Sequence, residues 1–97
     1  MIIANYEVIA KFAKKHARAR SSLNTWYNIT LKARWKNFDD LKMTFRSADV
    51  YGQCVIFNIG GNNYRLIASI NYQLEQVYVL NVLTHAEYDK NKWKGNC

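Results

Sequence analysis

"CVIFNIGGNNYRLIASINY", residues 54–72, is the stretch on which the fold turns. "CVIFNI" reads as a strand. "GGNN" at 60–63 is a hairpin signal, because Gly and Asn tolerate positive φ. The second arm alternates. Tyr64, Leu66, Ala68, Ile70 and Tyr72 fall on one face, and Arg65, Ile67, Ser69 and Asn71 on the other. "QLEQ" at 73–76 turns the chain again, and "VYVLNVLT" at 77–84 is a third strand. Both of its faces are rather apolar, which predicts a central position in an antiparallel meander.

Upstream the period changes. "MII" is a short apolar start that fits one small strand. Asn5 is placed to cap a helix, with Glu7 in its first turn where a carboxylate suits the dipole. Val8, Ile9, Phe12 and Ala13 recur at helical spacing. Leu23, Trp26, Tyr27 and Thr30 then share a second helical face. The two patterns meet near residues 16–20, which predicts a helical hairpin with a tight joint. "NFDDLKMTF" at 37–45 fits one or two helical turns, with Asn37 as cap and Phe38, Leu41 and Phe45 inward. "RSADVYGQ" at 46–53 reads as loop. No proline, repeat or low-complexity run marks a linker. The expectation is one α+β domain over residues 1–97, a helical hairpin on a small, mainly antiparallel sheet with a short C-terminal helix.

Composition narrows the function. The 97 residues are 49% hydrophobic and 14% aromatic, which argues for a packed globule and against disorder. No run approaches a membrane span, and the N-terminus is the reverse of a signal peptide. Cys54 lies in an apolar run and Cys97 is the last residue. That is neither a disulfide framework nor a metal spacing, and it predicts a reducing, cytoplasmic setting. The net charge of +7 is lopsided. Residues 1–46 hold ten Lys and Arg against three acidic residues, whereas residues 47–97 balance four with four. A basic face of this kind favours RNA, DNA or an acidic protein; the plainer reading is a solvated helix surface.

"THAEYDK", residues 84–90, leaves the third strand without Gly, Pro, Asn or Ser. Either Thr84 caps a short helix or the strand ends at a working site. His85 and Tyr88 are three apart and share a helix face. Arg65 lies near them if the strands are adjacent, on a sheet face expected to be free of helices. Histidine shuttles protons near neutral pH, tyrosine stacks or transfers a proton, and arginine grips phosphate. His16 is expected on the surface. No phosphate loop, nucleophile elbow or zinc spacing occurs. Taken alone, a His-x-x-Tyr pair is more often a cap with a packed ring than an active site, and Arg65 alone is more often a solvated sheet residue.

Three blocks carry a resemblance: "WYNITLKARWKNFDDLK", "VIFNIGGNNYRLI" and "THAEYDK". Together they resemble the HigB branch of the RelE-like toxins over nearly the whole chain. The resemblance implies a metal-independent, cofactor-free endoribonuclease acting on mRNA, with ribosome-bound message the expected substrate. It also implies a HigA-type helix-turn-helix antitoxin as partner, with operator DNA reached only through that antitoxin. It assigns Arg65, His85 and Tyr88 to catalysis, and Lys36, Lys90, Asn58 and Asn62 to RNA binding or support. Two departures stand out. Arg46 follows Phe45 where relatives commonly show Pro, and Asn63 stands where they often have Lys, which removes a phosphate contact from the turn. The alternative is a non-catalytic basic RNA- or DNA-binding module, or a protein that only docks an antitoxin.

Overall fold

The computed structural model describes residues 1–97. Strand β1 (Ile2–Ala4) leads into helix α1 (Tyr6–Lys15), a 3-10 turn (Ala17–Ala19) and helix α2 (Arg20–Lys32). Helix α3 (Phe38–Thr44) follows, then β2 (Asp49–Tyr51), β3 (Cys54–Ile59), β4 (Tyr64–Asn71) and β5 (Gln76–Thr84). The chain closes with helix α4 (His85–Asp89) and a 3-10 turn (Lys92–Asn96). The five strands lie in the order β1-β5-β4-β3-β2. All pairings are antiparallel except β1 with β5. No helix is long and apolar enough to cross a membrane.

One sheet face carries the main core. Leu23, Trp26 and Thr30 of α2 are buried, as the helical spacing predicts. Trp26 meets Phe57 edge-on at 5.3 Å, Phe57 meets Phe45 at 5.2 Å, and Phe45 meets Trp35 at 5.9 Å. This run of perpendicular aromatic pairs ties α2 and α3 to β3. Asn37 caps α3 by accepting from the Asp40 N–H at 2.9 Å. The 3-10 turn at 17–19 makes the tight joint between α1 and α2.

Several expectations need correction. The segment 46–53 is not all loop, because Asp49–Tyr51 pairs with β3 as an edge strand. All three of its residues are exposed, so no buried alternation marked it. Asn5 does not cap α1 with its side chain. It sits at φ 69°, linking β1 to the helix, and its Nδ2 donates to the Val79 carbonyl at 2.8 Å. Strand β5 is interior but not central: β4 holds the middle, and β1 covers only residues 76–78 of β5. Only the glycines of "GGNN" have positive φ.

The second sheet face is not free of helices. Helix α4 and the C-terminal turn fold back over it and bury Trp93 against Cys54, Ile56 and Ile67. Cys54 and Cys97, expected to stay apart, are joined by a disulfide. They lie 43 residues apart in sequence, and only the return of the C-terminal segment across β3 brings them together.

Candidate active site

The site is built where β5 runs into α4. Residues 84–87, Thr-His-Ala-Glu, form a capping box. The Thr84 hydroxyl accepts from the Glu87 N–H at 3.2 Å, and Glu87 Oε1 accepts from the Thr84 N–H at 2.9 Å. Bonding to the Thr84 N–H is the main reason the Glu87 carboxyl titrates below its usual range; nearby His16 and Lys15 add to this. Thr84 therefore does cap a helix, and that helix carries His85 and Tyr88.

Tyr88 and Arg65 meet. The guanidinium lies 5.1 Å from the centre of the Tyr88 ring. Arg65 is only 7% exposed. A buried cation needs partners, and the hairpin supplies them. Nη1 donates to the carbonyls of Asn62 (3.2 Å) and Tyr64 (3.0 Å), and Nη2 donates to Asn62 Oδ1. Arg65 is thus no open ligand floor: its Nη atoms hold the β3–β4 turn, and its charge sits behind Tyr88. Asn58 is its cross-strand partner and is half-buried.

His85 stands at the start of α4, its N–H donating to the Asn63 carbonyl at 3.1 Å. The main chain of Asn63 thereby ties the hairpin to α4, whatever its side chain has lost. The His85 side chain is 45% exposed, with Nδ1 at 2.9 Å from Asp89 Oδ2. That contact orients the ring and leaves Nε2 without a partner in the chain. No hydrogen bond or ring contact joins His85 to Tyr88 or Arg65. The structure brings Arg65, Tyr88 and Asn62 together and sets His85 on the adjoining rim.

Two clefts border α4 at Glu87. One, of about 370 Å³, is lined by Asn81, Leu83, Glu87, Lys90, Lys92 and Trp93 among others. The other, of about 300 Å³, includes Lys11, Lys15, His16, Asn81 and Glu87. Asn81 and Glu87 line both, so the two clefts adjoin near the end of β5, one beside α1 and one beside the C-terminal segment. Together they make a basic channel whose lining includes neither His85, Tyr88 nor Arg65. Lys90 belongs to it. Lys36 does not: it is exposed at the start of α3, where its N–H donates to Asp40. His16, expected on the open surface, is a channel residue. Its ring stacks on Phe12 at 4.3 Å and stands 6.3 Å from Tyr64. Nothing local in the sequence marks it; only the packing of α1 on β5 does. No cluster of three or more potential metal ligands exists.

Residues 19–91 match a family of RelE-like toxic components of toxin–antitoxin systems. That family is the HigB toxin family, and the chain belongs to it. Among curated relatives, the mRNA interferase toxin HigB of Escherichia coli strain K12 and the mRNA interferase HigB of Shigella flexneri are each 28% identical over 92 residues. Each of those alignments covers 92% of this chain and 88% of the relative. The mRNA interferase HigB of Escherichia coli O6:H1 is 27% identical over 81 residues, covering 80% and 79%.

Proposed function

We propose that the protein is the toxin of a type II toxin–antitoxin pair and cuts messenger RNA at the junction of β5 and α4. The observation that carries this reading is Tyr88, held on a buried guanidinium and stacked on Trp93, which lines one of the basic clefts, in a chain of the HigB toxin family. The curated relatives are named mRNA interferases.

The reaction requires the ribose 2′-oxygen to attack the adjacent phosphorus. A proton leaves the 2′-oxygen and another reaches the departing 5′-oxygen, giving a cyclic phosphate and a free 5′-hydroxyl. His85 suits one proton transfer through Nε2, with Asp89 holding Nδ1. The Tyr88 hydroxyl suits the other, and its ring offers a face on which a base can stack. Arg65 acts from behind the ring as a fixed positive charge and as the positioning residue for Tyr88, because its Nη atoms are already committed. Lys90 and Lys92 on one side, and Lys11 and Lys15 on the other, track the RNA backbone. Asn62 supports Arg65. Asn58 stands opposite it on the ladder. Lys36, away from the channel, would meet RNA only further along the strand.

The partner is a HigA-type helix-turn-helix antitoxin that brings the pair to operator DNA, and the working setting is the cytoplasm, on ribosome-bound message that the ribosome holds in an in-line geometry. Expression alone should arrest bacterial growth and shorten transcripts, and co-expression of the antitoxin encoded beside it should restore growth. Normal growth with folded protein present would refute the reading.

A further inference from the structure

We propose that Trp93 and the Cys54–Cys97 disulfide form a clamp that positions Tyr88 over Arg65, so that the oxidation state of the two cysteines sets how much of the protein has an assembled site. The consequence for cleavage rests on the nuclease reading above; the clamp itself does not.

Helix α4 has five residues, too few to hold Tyr88 by itself. Tyr88 is held from outside. Its ring stacks on Trp93 at 5.0 Å with the planes 10° apart, and its carbonyl accepts from Trp93 Nε1 at 2.9 Å. Trp93 is 4% exposed and also meets Tyr51 of β2 edge-on at 5.4 Å. Beyond Trp93 the chain returns to the β2–β3 turn. There the Cys97 carbonyl accepts from the Gln53 N–H at 3.1 Å, and the two sulfurs are bonded. Gly52 makes room for this. It has φ +57°, and a Cβ on it would lie 2.5 Å from the Cys97 carbonyl oxygen. Three consecutive residues, 52–54, thus receive Cys97, each in a different way. Trp93 and Cys97 both lie outside the region 19–91 matched by the family.

The segment after α4 is tethered at both ends when the sulfurs are bonded and at one end when they are free. Bonding removes the undocked conformations in which Trp93 leaves the sheet and Tyr88 loses its backing. In oxidation the two thiols lose two electrons and two protons as the Sγ–Sγ bond forms. The electrons pass to a low-molecular-weight disulfide of the glutathione class, which leaves as two thiols. In a reducing cell the thiol form dominates, and oxidation raises the fraction with an assembled site.

The test uses the full chain equilibrated in oxidised glutathione or in dithiothreitol, with the bond scored by alkylation and mass. Amide exchange across residues 86–97 and steady-state cleavage of a ribosome-bound message are then measured. Oxidation should slow that exchange by at least about tenfold, the equivalent of ~1.4 kcal/mol of docking, and should raise kcat while leaving KM unchanged. Cys54→Ser and Cys97→Ser should behave like reduced protein in both buffers. Trp93→Phe, which keeps a ring under Tyr88, should retain more kcat than Trp93→Ala. Thiols that stay alkylatable in oxidised glutathione, or exchange that ignores the bond, overturn the clamp. Slower exchange with equal kcat in both forms overturns the positioning role. Absence of cleavage in every form overturns the nuclease reading instead, while exchange still decides the clamp.

Discussion

Arg65 is the one buried charged side chain of the protein. The alternation places it correctly on the face away from the helical hairpin, but that face is covered, and the guanidinium is buried with its Nη atoms bonded to Asn62 and Tyr64. Truncating it leaves those hairpin acceptors and the Tyr88 ring without their partner. Arg65→Ala should therefore cost about 1–3 kcal/mol of stability as well as activity, seen as an earlier denaturant midpoint. Arg65→Lys keeps the charge without the fork of donors and should melt between the two. Tyr88→Phe keeps the ring on Arg65 and on Trp93, so its melting should match the parent. If the hydroxyl transfers a proton, cleavage by Tyr88→Phe falls by about 10²- to 10⁴-fold; an unchanged rate makes Tyr88 a stacking platform alone. The spacing of His85 and Tyr88 was legible because i, i+3 on a helix is a local property. The covering of Arg65 was not, because it depends on how α4 folds back to lay the Tyr88 ring against it.

Among the elements, α4 has a stability that follows pH on the acid side. The Glu87 carboxyl titrates below its usual range, chiefly because it accepts from the Thr84 N–H. A lowered folded-state value means its stabilisation is complete above the ordinary glutamate range and is lost as pH falls through that range and below it. Acid should thus fray residues 85–89 before the sheet, read as faster amide exchange there, and Glu87→Gln should flatten that dependence. Thr84→Ala should cost about 1 kcal/mol in any of these conditions. The capping box was readable from Thr84 and Glu87 standing three apart. Strand β2 was not: it is three residues long and exposed throughout, with no buried alternation to mark it, and it exists through its register with β3. Asn5 fits the sequence signature of a cap, yet it takes a left-handed conformation and bonds across to β5. A cap signature and a linker between parallel β1 and α1 look alike in one dimension.

For the whole molecule, the excess charge of residues 1–46 acquires a direction from the packing of α1 beside the end of β5. Lys11 and Lys15 line the channel with Glu87 and Asn81, whereas Arg18 and Arg20 line neither cleft at the site. Reversing Lys11 and Lys15 to Glu should therefore raise KM for message more than reversing Arg18 and Arg20, and should shrink the salt dependence of binding. Equal effects of the two pairs would place the RNA path elsewhere. Net charge foretold a polyanion but not its track, just as cysteine spacing gave no sign of the bond between Cys54 and Cys97. Both depend on contacts between segments remote in sequence. The claim on which everything rests is that the junction of β5 and α4 performs proton transfer on RNA. It is tested most directly by the single-turnover rate of ribosome-bound message cleavage by His85→Ala, measured beside its melting temperature. The account predicts a fall of about 10²- to 10⁴-fold in rate at an unchanged melting temperature, with the parent fully active in the same assay; parental cleavage by the variant would contradict it.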